Sequence, residues 1–146
     1  MIICCGEALI DMIPISNAGE TVFLPRSGGA VFNTAIACGR LGTETGLITG
    51  LSSDLFGQQL EQTLADSRVN TSLAVRSTHP TTLAFVELHH GQATYTFYDE
   101  NTAGRLLNPQ ALPEIPDKVT ALYFGGISLI SEPGANFYAA LAMRES

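Results

Sequence analysis

The sequence predicts an α/β protein, a parallel sheet with helices packed on it and a small antiparallel β flap beside it. Three observations lead there. Short strand-like runs recur at Ile2-Ile3-Cys4-Cys5, at residues 45–50 and at residues 119–124, and the first, wholly apolar, suits a strand buried on both faces. Between the first two runs lies a segment of helical period, residues 27–41, opened by Gly28-Gly29; strand, helix and strand then make a βαβ unit with a right-handed crossover. From Leu73 the pattern shifts to strands without intervening helices, which places them outside the parallel core.

The first apolar run ends in Gly6-Glu7-Ala8-Leu9-Ile10-Asp11. In open α/β sheets ligands gather beyond the carboxyl ends of the strands. Asp11 stands just past this end, where an exposed loop residue and a ligand-facing acid fit equally well. Cys4 and Cys5 read as core packing, since cysteine is among the most buried residue types. Residues 20–25 form a short extended piece. Ala30, Asn33, Thr34, Ala37 and Leu41 then share one face at helical spacing. That face is mostly small, so the helix is expected to lie close against a sheet, and Gly42 is placed to cap its end. Gly28 and Gly29 lack a Cβ and let backbone N–H groups approach a bound molecule. Asn33, near the first turn, adds a donor and an acceptor. Together they suit a ligand rich in hydroxyls; the plainer reading is a tight loop and a cap.

Residues 45–50 read as a second inner strand. Asp54 is placed as the N-cap of a helix over residues 55–65, with Leu55, Phe56, Leu60, Thr63 and Leu64 on its apolar side. Residues 72–76, 82–88 and 93–98 read as flap strands, the last two joined by His89-His90-Gly91-Gln92, a hairpin connection containing Gly. Phe85, Tyr95, Phe97 and Tyr98 supply the flap with aromatic rings; packing is their default role, and a flap closing over a site would use one as a wall. The adjacent His89 and His90 read as solvated turn residues rather than metal ligands. Residues 106–118 are loop-like, with Pro109, Pro113 and Pro116. Residues 119–124 read as a third inner strand ending in Gly125-Gly126. Pro133 suits the first turn of a last helix, with Ser131 as its cap. That helix would cross over to a further parallel strand, and none follows within the 146 residues, so an uncovered apolar edge is expected.

The totals exclude several classes. Apolar residues make up 45% of the 146 residues and charged residues 14%, which suits one globular domain able to bury a core. No apolar run approaches the roughly 18 residues of a membrane-spanning helix, and the amino-terminal run lacks the form of a signal peptide. Three cysteines, two of them adjacent, make no disulfide framework; the expected compartment is a reducing cytoplasm. A net charge of −7 argues against nucleic acid and anionic membrane as partners.

Taken in order, Gly6-Glu7-Ala8-Leu9-Ile10-Asp11, then Gly28-Gly29-Ala30-Val31-Phe32-Asn33-Thr34-Ala35 with Arg40-Leu41-Gly42, then Gly50-Leu51-Ser52-Ser53-Asp54-Leu55-Phe56-Gly57 make a series. With Val69-Asn70-Thr71, the flap and Phe124-Gly125-Gly126-Ile127-Ser128-Leu129, the whole chain resembles the amino-terminal half of a ribokinase-like sugar kinase of the PfkB family. The opening motif and the Phe124–Ser128 stretch look most like the fructokinase group. The resemblance implies a three-layer α/β/α fold with a small β lid, formed here by residues of about 21–25 and 72–98. It also implies transfer of the γ-phosphoryl of ATP to a sugar hydroxyl, usually with Mg²⁺. Asp11 matches the family's sugar-binding acid, Gly28, Gly29 and Asn33 match its sugar-contacting residues, and Phe97 matches a lid residue over the sugar. The lid strands of the family often pair between subunits, so the resemblance implies a homodimer.

The departure from the family is large. Its catalytic aspartate lies in a Gly-Ala-Gly-Asp segment of the carboxyl-terminal half, with the nucleotide pocket nearby, and these 146 residues contain no such segment. No Walker-type loop is present either. The expectation is a sugar-binding half that is inactive alone. Two alternatives stand beside it: a non-catalytic sugar-binding or regulatory remnant, and a kinase for 2-keto-3-deoxygluconate or a nucleoside.

Overall fold

The structure, a computed structural model, describes residues 1–89 and 92–146. The chain begins with β1 (Ile2–Cys5), β2 (Leu9–Asn17) and β3 (Glu20–Gly28), followed by α1 (Ala30–Arg40). Next come β4 (Thr45–Ile48), β5 (Gly50–Ser52), α2 (Leu55–Asp66), β6 (Val69–Asn70) and β7 (Val75–Ser77). The remainder is β8 (Leu83–His89), β9 (Gln92–Tyr98), β10 (Ala121–Phe124), a 3-10 turn at Ile127–Leu129 and α3 (Gly134–Glu145).

The core sheet is parallel, in the order β10-β1-β4-β6. Successive side chains of a strand point to opposite faces, and β1 shows the consequence. Cys4 packs with Val31, Phe32, Leu47, Leu60 and Leu64. Ile3 and Cys5 pack with Ile48, Phe137, Tyr138 and Leu141. So α1 and α2 cover one face and α3 the other, giving three layers. The buried Tyr138 hydroxyl donates to the Gly6 carbonyl (3.1 Å), which fixes α3 under the end of β1.

The lid is a second sheet, in the order β3-β2-β8-β9. The β2–β3 and β8–β9 pairs are antiparallel, whereas β2 and β8 pair in parallel from Ile10↔Leu83 to Met12↔Phe85. Register sorts the lid's side chains. Asp11, Arg26, Ala84 and Phe97 form one row, so they share a face, and Tyr95, two residues on from Phe97, shares it too. Ile10 points the other way into the core, and Met12 and Leu83 pack beside it. Phe23, Phe85 and Tyr98 form edge-on ring contacts on that opposite face. At the lid's root, Arg105 bonds Asp99 (2.8 Å) and the Glu132 carbonyl (2.6 Å), tying the end of β9 to the start of α3.

Several sequence expectations change. Asp11 lies past the carboxyl end of β1 but within a second strand rather than a loop: β2 runs for nine residues, and Pro14 within it disguised the pattern. The flap is not wholly antiparallel. Residues 72–76 do not belong to it; Val75–Ser77 pairs in parallel with Gly50–Ser52. Residues 45–50 divide at Thr49 into β4 and β5. Residues 119–124 shorten to β10, an edge strand rather than an inner one, with Tyr123 42% exposed. The buried face of α1 is Val31, Phe32, Ala35, Ile36 and Gly39, not the small face read from spacing, and Leu41 is 85% exposed. Both faces satisfy helical spacing, and the bulkier one buries more apolar area. Leu55 likewise faces solvent, while Leu60 and Leu64 are buried. Ser131 provides no side-chain cap; its carbonyl accepts from the Ala135 N–H instead. Asp54 caps α2 as expected, accepting from the Gly57 N–H (2.7 Å). The hairpin turn and the histidine pair, with their proposed solvated role, fall partly on residues 90–91, outside the described residues.

Candidate functional site

A cleft of about 280 Å³ opens between the lid and the carboxyl end of β1. Asp11, Gly29, Asn33 and Phe97 all line it, and Gly28 sits directly beneath Asp11. The turn from β1 into β2 carries the chain out of the core sheet and points Asp11 across the cleft from α1. A Cβ on Gly28 would lie 2.1 Å from Asp11 Oδ2, so the carboxylate rests over bare backbone. Burial pushes the Asp11 carboxyl above the usual carboxylate value. Among the described residues no ion pair or hydrogen bond offsets that burial. An acceptor left without a protein partner in a cleft is free for a donor-rich ligand.

Gly29 is the N-cap of α1 at φ 108°, a backbone state that side chains resist. Its carbonyl accepts the Asn33 N–H (2.9 Å), which closes the first turn. Because the bulky face of α1 turns inward, Asn33 is exposed to the cleft. Phe97 forms a wall from the lid, with Tyr95 stacked beside it at a ring distance of 6.1 Å.

Glu7, Leu9, Ala30, Tyr95, Gly126 and Ile127 complete the lining, and the sequence reading assigned none of them to the site. Glu7 could have been found: it follows the carboxyl end of β1, where ligands of such sheets collect. The place of Gly126 and Ile127 depends on the pairing of β10 with β1, which brings residues distant in sequence alongside Glu7.

The lining holds two carboxylates and no lysine or arginine. Two carboxylates without a basic lining residue make the bare cleft electronegative. Among the described residues no three His, Cys, Asp or Glu side chains converge as a metal ligand set. No helix among them is long and apolar enough to cross a membrane.

Comparison with known proteins then decides the family. Residues 1–144 match the pfkB family carbohydrate kinases. The chain belongs to that family. The fructokinase of Rhizobium leguminosarum bv. trifolii is 52% identical over 147 residues, covering 100% of this chain and 45% of its own length. Fructokinase from Xylella fastidiosa, solved with bound ATP, superposes with a TM-score of 0.81 at 32% identity, over 95% of this chain and 48% of that one. Fructokinase from Vibrio cholerae O395, solved with fructose, ADP and calcium, gives a TM-score of 0.77 at 28% identity, over 99% of this chain and 47% of that one. The chain thus spans about half the length of the relatives it matches. In family terms, the layered sheet and its lid are those of a ribokinase-like sugar kinase.

Proposed function

We propose that this chain is the sugar-binding part of an ATP-dependent kinase that phosphorylates a hydroxyl of fructose. The observation that carries the reading is the Asp11 carboxylate, half-buried over Gly28, without a partner among the described residues, in a cleft that also presents Asn33 and an aromatic wall. A carboxylate accepts two or more hydroxyl donors and a carboxamide both donates and accepts. Gly28 makes room for the Asp11 carboxylate and Gly29 for Glu7, and Phe97 covers the sugar's apolar C–H face. This set binds and orients the sugar, which is the larger part of what a phosphoryl-transfer enzyme must do for its acceptor.

ATP and Mg²⁺ enter this reading through the family. The family's Gly-Ala-Gly-Asp segment is not among these 146 residues, and among the described residues no three His, Cys, Asp or Glu side chains converge. A cytoplasmic setting and a homodimer through the lid belong to the same proposal. Ile15 and Tyr95, exposed on the cleft-side face of the lid, support the dimer.

Titration calorimetry of the chain with fructose tests the reading. Fructose is expected to bind without nucleotide, and Asp11→Ala is expected to weaken it by about tenfold or more, as for loss of hydrogen bonds to a charged group. Asp54→Ala, outside the cleft, should leave the affinity within a factor of about two. The chain alone should release no ADP from ATP. Absence of heat with fructose, or equal losses in the two variants, would overturn the assignment.

A further inference from the structure

We infer that Glu7 is a positioning residue for sugar binding, its carboxylate holding together the two glycine-bearing walls of the cleft. The inference rests on the sugar reading of that cleft and adds a residue to it.

Glu7 is 8% exposed. Its Oε1 accepts from the Val31 N–H (3.2 Å), 24 residues away in the first turn of α1. Its Oε2 accepts from Ser128 Oγ (3.0 Å), 121 residues away in the 3-10 turn; the Ser128 N–H lies 3.5 Å from the same oxygen. The Glu7 carbonyl accepts the Phe32 N–H (3.2 Å). Among the described residues no basic side chain pairs with Glu7. Its charge is met by amide groups at the starts of two helical segments, where the backbone dipoles favour an anion.

Both walls leave room for Glu7, Gly126 for its carboxylate and Gly29 for its backbone. Gly126 sits at φ 75°, and a Cβ there would lie 2.0 Å from Glu7 Oε2. At Gly29 a Cβ would lie 3.0 Å from the Glu7 carbonyl oxygen. Gly29 and Gly126 line the cleft together with Glu7. The link to the sugar runs through α1. Glu7 fixes Val31, Val31 shares its turn with Gly29, and the Gly29 carbonyl holds the Asn33 N–H at 2.9 Å. A shift of the first turn would therefore move Asn33 relative to Asp11.

A space-filling role needs only volume, whereas a bridge needs polar atoms at both ends, and the two separate by substitution. Glu7→Leu fills the space and cannot accept. Glu7→Gln keeps an acceptor for Val31, and its NH₂ can donate to Ser128 Oγ, whose proton then turns to the Gly125 carbonyl, 2.7 Å away.

The experiment is fructose titration of the chain and its variants, with residue-resolved amide hydrogen exchange. Glu7→Leu is expected to weaken fructose binding by about tenfold or more, and Glu7→Gln to recover most of that loss. In Glu7→Leu, exchange should quicken at Val31 and Phe32 and also at Ser128, while the β2–β3 amides keep their protection. Equal affinities for the Leu and Gln variants, or faster exchange at one wall only, would overturn the inference. If Glu7→Leu fails to fold, Ser128→Ala cuts the Oε2 arm alone and should still quicken exchange at Val31; an unchanged Val31 overturns the bridge. Should the unaltered chain bind no fructose, the sugar reading falls, and the exchange data still decide whether Glu7 joins the walls.

Discussion

Asp11 is an acid whose charge is held without a partner, and pH should report it. Burial raises its carboxyl in the folded chain, so the ionised form costs stability at neutral pH and the cost is relieved as pH falls through the raised value. Fructose would hydrogen-bond the ionised form. Its affinity should therefore decline on acidification through that raised value, sooner than an ordinary carboxylate would cause. Calorimetry across pH should show the decline, and Asp11→Asn should flatten it; an unaltered pH profile in Asp11→Asn would remove Asp11 from the contact. Gly28→Ala probes the same group sterically. The new methyl group meets the mobile end of Asp11, 2.1 Å away, so the carboxylate swings aside. Fructose binding should weaken several-fold, while the melting temperature changes little, because no backbone atom is displaced.

Among the elements, α2 depends most visibly on one side chain. Asp54 caps it through the Gly57 N–H and also accepts from the Thr81 N–H (2.8 Å) and hydroxyl (2.7 Å), which pins the approach to β8. Burial opposes ionisation of Asp54, but these bonds outweigh it and hold its carboxyl below the usual value. The stability it adds is present above the unfolded-state value and is lost as pH falls through the depressed folded one. Asp54→Ala is expected to destabilise the chain by about 1–2 kcal/mol, measured by urea unfolding at neutral pH. The difference from the unaltered chain should shrink in acid. The lid shows how an element divides its roles. Alternation sends Ile10 into the core and turns Asp11 and Phe97 to the cleft, so the same strands anchor the lid and build the site.

For the whole molecule, the net charge is −7, and the cleft lining carries two acids. The lid's cleft-side face leaves Ile15 and Tyr95 exposed, at 41% and 54%. If copies pair there, sedimentation velocity should show a concentration-dependent dimer, and Ile15→Lys should shift it to monomer. A purely monomeric chain at high concentration would remove the lid-paired dimer. A further open edge is β10, which among the described residues pairs with β1 alone.

Much of this was legible in the sequence, and the remainder was not, for a definite reason. Local chemistry marked the strands at Ile2–Cys5 and within residues 45–50, the Gly28-Gly29 entry to α1, the Asp54 cap, and Asp11 and Asn33 as residues able to face a ligand. Each follows from side-chain type and near neighbours. Tertiary structure alone decided which face of α1 turns inward, that Asp11 lies within a strand of a mixed lid, and that Gly126 meets Glu7. Periodicity fixes the spacing of a face but not which of two faces buries more area. Pairing between β1 and β10, and between β2 and β8, joins segments whose separation leaves no trace in local pattern, and the cleft forms only where those pairings converge.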